Sequence, residues 1–225
     1  MVERMFPFIT HTTNPIAGGP CPYGCSYCWA TALKNRHQWE KYQGNYRLER
    51  KELKSYPPDS YVFVQDMGDI GDPKIPRECI MMIFGSIVIQ PKVNFLLLTK
   101  NPSFYTKWWS RIPENAILGA TIETDRKISP DISKAPDTDT RLTKMAELED
   151  LANNRRFICV EPIMEFSPSF ADRIINIKPW AVAVGYDNYN NHLPEPSFTE
   201  TRELIQKLRD KGITVWEKTI REAWK

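Results

Sequence analysis

The chain has 225 residues, a length typical of one large domain or two small ones, and the length favours one. Hydrophobic residues make up 41% and charged residues 26%, which excludes wholesale disorder. Thirty lysine and arginine residues against 28 acidic ones leave +2, too little for binding nucleic acid or anionic lipid by overall charge alone. Residues 79–89, the longest nearly apolar stretch, are about half of the ~20 that cross a bilayer, and no signal-like run follows Glu3 and Arg4. We therefore expect a cytoplasmic protein.

Short apolar runs alternate with longer amphipathic segments along the whole chain. Seven runs rich in Val, Ile, Phe or Leu mostly lack polar alternation, which is typical of strands covered on both faces. These predicted strands are residues 5–9, 61–64, 93–98, 116–122, 157–160, 180–184 and 213–216. The segments between them predict helices at residues 29–42, 76–89, 102–110, 141–153, 168–175 and 199–211.

This alternation predicts parallel strands with crossover helices, in an open doubly wound sheet or in a whole or partial β/α barrel. No glycine-rich dinucleotide motif follows a strand. Polar residues instead gather directly after several strands, as at the catalytic end of a barrel. They are Asp66, Asp69, Thr99, Lys100, Glu123, Glu161, Asp187 and Lys218. Seven strands are too few for a closed barrel, so we predict an α/β fold, a partial (β/α)6–7 TIM-like barrel with parallel strands, as one domain over residues 1–225.

Three of the five cysteines, Cys21, Cys25 and Cys28, stand close together in a loop at residues 18–29 that is bent by glycine and proline. In a reducing compartment, such a trio is more typical of a metal or cluster site than of disulfides. Thiolates are the protein ligands of iron–sulfur clusters, and three of them can hold three corners of a 4Fe–4S cube.

Because the loop has no fourth cysteine, the sequence does not decide which metal the trio binds. A structural zinc site takes four ligands, usually from paired C-x2-C halves, and neither Cys79 nor Cys159 belongs to a second pair. Zinc held by the trio with His11 or another fourth donor, in a structural or interaction protein, stays an alternative. Cys79 and Cys159 are most simply buried core residues.

The C-x3-C-x2-C spacing, with the aromatic Tyr27 before the last cysteine, resembles the signature of the radical S-adenosylmethionine (radical SAM) superfamily. Five later segments resemble successive strand ends of a phage and prokaryotic branch of that superfamily. This branch is related to spore-photoproduct-lyase-like proteins, and its substrate is unassigned. The segments are residues 62–76, 95–105, 115–125, 156–166 and 212–219.

The resemblance implies a 4Fe–4S cluster on Cys21, Cys25 and Cys28, with S-adenosylmethionine on the iron that has no cysteine ligand. It implies that the reduced cluster cleaves S-adenosylmethionine to a 5′-deoxyadenosyl radical, which abstracts hydrogen from an unidentified substrate. An external one-electron reductant of flavodoxin or ferredoxin type is the implied partner. A module that binds the cluster and S-adenosylmethionine without turnover is a second alternative.

The resemblance also implies roles for strand-end residues, although it identifies no catalytic side chain. The segment Met67-Gly68-Asp69 is a degenerate form of the Gly-Gly-Glu-like edge that binds the methionine amino group. The implied cofactor set is Gly68, Asp69, Thr99, Glu123, Glu161 and Gly185. The implied substrate set is Lys100 and Lys218. For Asp72 and Asp125, a helix cap or an ion-pair partner is the simpler interpretation.

Residues 34–54 contain seven basic residues against three glutamates, interleaved with Trp39, Tyr42 and Tyr46. Phosphate contact combined with base stacking needs this mixture, and it makes nucleic acid or a nucleotide a candidate substrate. A solvated helix followed by a loop is the commoner explanation of a charged run. The sequence therefore leaves the substrate open.

Overall fold

The computed structural model describes residues 5–149 and 155–224. Nine strands alternate with six helices in the described residues. The strands are β1 (His11–Thr13), β2 (Ile16–Ala17), β3 (Arg47–Leu48), β4 (Tyr61–Val64), β5 (Asn94–Thr99), β6 (Ala116–Thr121), β7 (Arg156–Val160), β8 (Ala181–Val184) and β9 (Thr214–Glu217). The helices are α1 (Trp29–His37), α2 (Arg77–Val88), α3 (Ser103–Trp108), α4 (Thr138–Glu147), α5 (Phe170–Asn176) and α6 (Phe198–Asp210).

Seven of the strands form one parallel sheet in the order β1-β4-β5-β6-β7-β8-β9, curled into a half-barrel. The predicted partial TIM-like barrel is therefore confirmed. Strands β2 and β3 form a separate antiparallel pair. The central strands are buried on both faces, and every residue of β6 and β8 is buried, because helices cover the convex face and other apolar groups fill the concave face.

The concave face is filled from the N-terminal side of the chain. Phe6 packs edge-on against Phe157 of β7, with ring centroids 5.0 Å apart, and Phe8 stacks on Trp216 of β9 at 4.7 Å. The predicted strand at residues 5–9 is wrong, because residues 5–8 form bends and turns and the first strand is β1. This segment is apolar because its side chains fill the half-barrel. Such a segment has the same apolar pattern as a buried strand, so the sequence does not distinguish the two.

Two helix boundaries also differ from the prediction. Helix α1 ends at His37, five residues before the predicted end, because Gln38 takes a left-handed conformation with φ 49°. Helix α4 starts at Thr138 instead of residue 141, and residues 150–153 of the predicted helix lie outside the described residues. No helix in the described ranges has the length and apolarity needed to cross a membrane.

Candidate active site

A cavity of about 620 Å³ opens at the carboxyl ends of the parallel strands. Its walls come from the cysteine loop, from helix α1 and from the segments that follow β4, β5, β7, β8 and β9. The volume falls within the range of small-molecule and cofactor sites. The carboxyl ends of barrel strands are also where β/α-barrel enzymes place their reacting groups.

Cys21, Cys25 and Cys28 all line this cavity, all are partly exposed, and none forms a disulfide. Cys28 is the N-cap of α1, and its Sγ accepts a hydrogen bond from the Thr31 amide at 3.4 Å. Cys25 Sγ lies 3.1 Å from Ser133 Oγ. The loop therefore presents three thiols to one cavity instead of burying them in the core.

Backbone hydrogen bonds hold the cysteine loop against its neighbours. The Ser26 amide donates to the Ile132 carbonyl at 2.9 Å, and the Lys134 amide donates to the Tyr23 carbonyl at 2.8 Å. On the other side, the Tyr46 hydroxyl donates to the Pro20 carbonyl at 3.0 Å. The loop is thus fixed between the segment before α4 and the segment that carries β3.

The electrostatics of the trio favour a cation. Burial, together with the nearby Asp69, Cys25 and Cys28, raises the pKa of the Cys21 thiol to about 12, although a backbone hydrogen bond at Tyr23 opposes this shift. A Cys21 thiolate is therefore disfavoured here unless positive charge binds it, and a metal centre would supply that charge, because metals bind their thiol ligands in the deprotonated form.

The spacing of these donors does not match a single ion. The described part of the chain contains no group of three or more His, Cys, Asp or Glu residues close enough to hold one metal ion. His11 lies on the cavity wall, with its Nδ1 2.9 Å from Thr10 Oγ1.

Glu123 follows β6 and is fully buried beneath the cysteine loop. The Tyr27 hydroxyl and Lys100 Nζ both donate to its Oε1, and Lys100 Nζ also lies 3.0 Å from the Tyr27 hydroxyl. Arg141 of α4 donates to Glu123 Oε2 at 2.6 Å and to the Thr121 carbonyl at 3.0 Å. Through Tyr27, this network ties the cysteine loop to β5, β6 and α4.

Glu123 is ionised in this network. Burial opposes ionisation, but the positive charges of Lys100 and Arg141, with the hydrogen bonds to Lys100 and Tyr27, outweigh it and lower the pKa from 4.5 to about 2. For Tyr27, burial and the adjacent carboxylate raise the pKa well above 10. The phenol therefore stays protonated and donates to Glu123 throughout the neutral range.

Asp69, after β4, ties this segment to the end of β5 by hydrogen bonds. Its carboxylate accepts hydrogen bonds from the amides of Gly71 and Lys100, both at 2.8 Å, and from Thr99 Oγ1. Burial raises the pKa of Asp69 and these hydrogen bonds oppose that shift. The close approach needs glycine at position 71, where a Cβ atom would lie 2.3 Å from Thr99 Oγ1.

The opposite wall of the cavity carries a second ion pair. Lys218 Nζ, just after β9, lies 3.1 Å from Glu161 Oε2, just after β7. Gly185 lies directly behind this pair, because a Cβ atom there would be 3.2 Å from Glu161 Oε1 and 3.0 Å from Lys218 Cβ. The pair is partly exposed on the cavity wall, unlike the Glu123 network.

Six of the eight strand-end residues predicted for the cofactor or substrate line the cavity: Gly68, Asp69, Thr99, Lys100, Glu161 and Lys218. Glu123 and Gly185 lie behind the wall. The cavity wall also includes Lys34, Asn188 and Tyr189, which were not predicted as site residues. Lys34 could have been predicted, because helix α1 begins at Trp29, directly after Cys28, and brings Lys34 close to the cysteine loop.

A parallel half-barrel with three cysteines in the loop after its first strand has the architecture of radical SAM enzymes, and solved structures of that class match it. A variant of spore photoproduct lyase matches with a TM-score of 0.65 and 10% identity, over 97% of this chain and 81% of that chain. Spore photoproduct lyase complexed with dinucleoside spore photoproduct matches with a TM-score of 0.61 and 11% identity, over 90% and 75%.

Streptococcus suis SuiB bound to S-adenosylmethionine matches with a TM-score of 0.55 and 10% identity, over 95% of this chain and 48% of that chain. This chain therefore spans about half of SuiB. At these identities the likeness is one of fold, and it confirms the predicted resemblance at that level.

The chain belongs to the family described as "Protein of unknown function (DUF5131)", which matches residues 4–186. The match includes the cysteine loop and the strand ends through Gly185, whereas Lys218 lies beyond it. No curated protein matches the chain.

Proposed function

We propose that this protein is a radical SAM enzyme that binds a 4Fe–4S cluster through Cys21, Cys25 and Cys28 and holds S-adenosylmethionine in the adjoining cavity. One observation carries the proposal: three free cysteines of a single anchored loop face one cofactor-sized cavity at the carboxyl end of a parallel half-barrel. When bound and reduced, the cluster would supply the electron that cleaves S-adenosylmethionine to methionine and a 5′-deoxyadenosyl radical, which would abstract hydrogen from the substrate.

The wall residues have distinct parts in this proposal. The backbone after β4 lies close to the Gln65 side chain, and Gly68 permits this approach, because a Cβ atom there would lie 2.8 Å from Gln65 Nε2. That edge binds the methionine amino group, and the hydrogen bonds of Asp69 to the end of β5 keep it in place. Thr99 and Glu161 line the remainder of the cofactor site, and Lys100 and Lys218 face the substrate.

Glu123 and Gly185, the two other residues of the proposed cofactor set, support the site from behind the cavity wall. Glu123 holds Tyr27 and Lys100 in position, and Gly185 leaves room for the pair of Glu161 and Lys218. The half-barrel and its apolar lining bind and orient the reactants and exclude water from a radical that would otherwise be quenched.

The substrate class that we propose is a nucleic acid or nucleotide. Solved structures of spore photoproduct lyase, which shares this fold, hold a dinucleoside spore photoproduct. The cavity of the present chain offers both aromatic and ammonium groups, including Tyr189, Lys34 and Lys218. An external flavodoxin- or ferredoxin-type protein would supply the electron.

Anaerobic reconstitution with iron and sulfide tests the proposal. We expect bound iron and inorganic sulfide, and release of 5′-deoxyadenosine on reduction with S-adenosylmethionine present. The variant Cys25→Ala should lose cluster and cleavage together. The control Cys79→Ala, which removes a buried cysteine of α2 away from the cavity, should keep both.

Two results would contradict the proposal. Zinc at unit stoichiometry without sulfide, after anaerobic purification, would support a structural zinc protein. A bound cluster and bound S-adenosylmethionine without any cleavage product would support a non-catalytic binding module.

A further inference from the structure

Positive charge is concentrated in residues 34–54, which we call the basic segment. This segment carries seven basic and three acidic residues, a formal charge of +4, whereas the whole chain carries only +2. The remainder of the chain is therefore net negative. A polyanion would be attracted to this segment and weakly repelled elsewhere.

Internal ion pairs neutralise only part of the basic segment. Lys41 pairs with Glu52 at 2.5 Å, and Arg47 and Lys51 lie 3.4 and 3.7 Å from Glu49. The other four cations form no ion pair with a described acidic residue. They are Lys34, Arg36, Arg50 and Lys54. These cations are available for phosphate groups.

Aromatic rings lie among these cations. Trp39 is 41% exposed and stacks on His37, with ring centroids 5.1 Å apart and an interplanar angle of 12°. Tyr42 lies 6.1 Å from Trp39, and Lys34 Nζ lies 4.6 Å from the Tyr42 ring centroid. An exposed indole beside a tyrosine ring that lysine ammonium groups contact is similar to the sites with which proteins bind unpaired bases and their phosphates.

The basic segment is continuous with the cavity. Lys34 contacts Tyr42 and also lines the cavity beside the cysteine loop. Helix α1, which carries Lys34, Arg36 and His37, buries only Ala30, so most of its surface faces solvent. A ligand lying on this surface would reach the cavity mouth past Lys34.

We propose that the basic segment binds single-stranded nucleic acid, with a base stacked on Trp39 and phosphates on Lys34, Arg36 and Arg50. That a nucleotide of this strand then enters the cavity rests on the proposed function. The strand is unpaired because a base inside a duplex does not offer its face to an indole. The binding surface itself depends on neither cluster nor cofactor.

Fluorescence anisotropy of a labelled oligothymidylate, measured without S-adenosylmethionine or reductant, tests this surface. We expect Trp39→Ala to weaken binding about 5- to 150-fold, the range for loss of one stacked base. Arg36→Gln should weaken binding and reduce the salt slope, log affinity against log salt, by about 0.7 for the phosphate contact removed.

Matched controls come from an exposed tryptophan outside the basic segment. Trp109 is 52% exposed and lies in the turn after α3, close to Arg111. Trp109→Ala and Arg111→Gln should leave oligothymidylate binding unchanged. The assay omits S-adenosylmethionine, so its result does not depend on cleavage of this cofactor. Conversely, the cleavage test can still be interpreted if the oligonucleotide does not bind.

Four outcomes of the oligonucleotide assay would overturn this inference. They are no binding by the unmodified chain at about 50 mM salt, undiminished binding by Trp39→Ala, equal losses in the Trp109→Ala control, and binding of duplex as tight as that of single strand. Binding to anionic phosphatidylserine vesicles in place of the oligonucleotide would assign the surface to a membrane and would also overturn it.

Discussion

Glu123 and Glu161 follow neighbouring strands of the same sheet, yet their surroundings are opposite. Glu123 is 0% exposed and is bonded to Tyr27, Lys100 and Arg141. Glu161 keeps 15% of its side chain exposed on the cavity wall and pairs with Lys218, which keeps 20%. The first carboxylate lies beneath the site, whereas the second forms part of its wall.

The difference shows that a carboxylate at a strand end can stabilise the fold or form part of a binding site. A buried carboxylate with two cations fixes the surrounding backbone, and removing one member leaves uncompensated charge in the interior. A partly exposed pair contributes little to folding, because water competes with the interaction. Stability should therefore depend on Glu123, and ligand binding should depend on Glu161.

The largest expected effect is that of Glu123→Gln. This change leaves the buried Arg141 and the Lys100 ammonium, which is 15% exposed on the cavity wall, without a balancing negative charge. We expect a loss of about 3 kcal/mol in the free energy of unfolding, the lower end for a broken buried pair, because Lys100 is partly solvated. Urea denaturation of the metal-free chain measures it. A loss below about 1 kcal/mol would mean that water or backbone groups compensate the two cations, and the contrast with Glu161 would disappear.

The pH dependence of stability isolates the same carboxylate. The pKa of Glu123 is lowered from 4.5 to about 2 in the folded chain. Its contribution is therefore complete above about pH 4.5 and is lost as the pH falls towards 2, with a total of about 3 kcal/mol. The difference in unfolding free energy between the unmodified chain and Glu123→Gln should shrink over this range, and a constant difference would contradict the assignment.

The sheet was largely predictable because its strands are buried on both faces. Six predicted strands agree with β4 through β9 to within one residue at each end, since continuous apolar runs mark doubly covered parallel strands. The edge strand β1 has the sequence His-Thr-Thr and two exposed residues, so it carries no such signal. The apolar residues before it fill the half-barrel, which explains the misplaced first strand.

The grouping of the three cysteines was predictable from their spacing, whereas the Glu123 network was not. The trio is defined by sequence distance along one loop, and the structure places all three thiols on one cavity. Glu123 meets Arg141 of α4 and Tyr27 of the loop only after folding. Whether a strand-end side chain points into the cavity or away from it depends on local backbone direction, which residue type does not encode.

An intermediate effect is expected for Tyr27→Phe, which removes the link between the cysteine loop and Glu123. A hydrogen bond to a charged group contributes about 1.5–3 kcal/mol, and the lower value applies here because Glu123 keeps Lys100 and Arg141. Limited proteolysis should also cut residues 18–29 faster than in the unmodified chain. Tyr189→Phe is the control, since Tyr189 is 70% exposed, and its stability should not change. An equal effect of both changes would show that Tyr27 does not anchor the loop.

The smallest effect on stability is expected for the wall pair. Glu161→Gln, Lys218→Met and the double variant should give a coupling energy below about 1 kcal/mol in a double-mutant cycle, because both side chains remain partly solvated. The same Glu161→Gln variant should nevertheless weaken S-adenosylmethionine binding, measured by calorimetry on the reconstituted protein. If Glu161→Gln lowered the free energy of unfolding as much as Glu123→Gln, both carboxylates would stabilise the fold. The degree of burial would then not distinguish a structural carboxylate from one that forms the cavity wall.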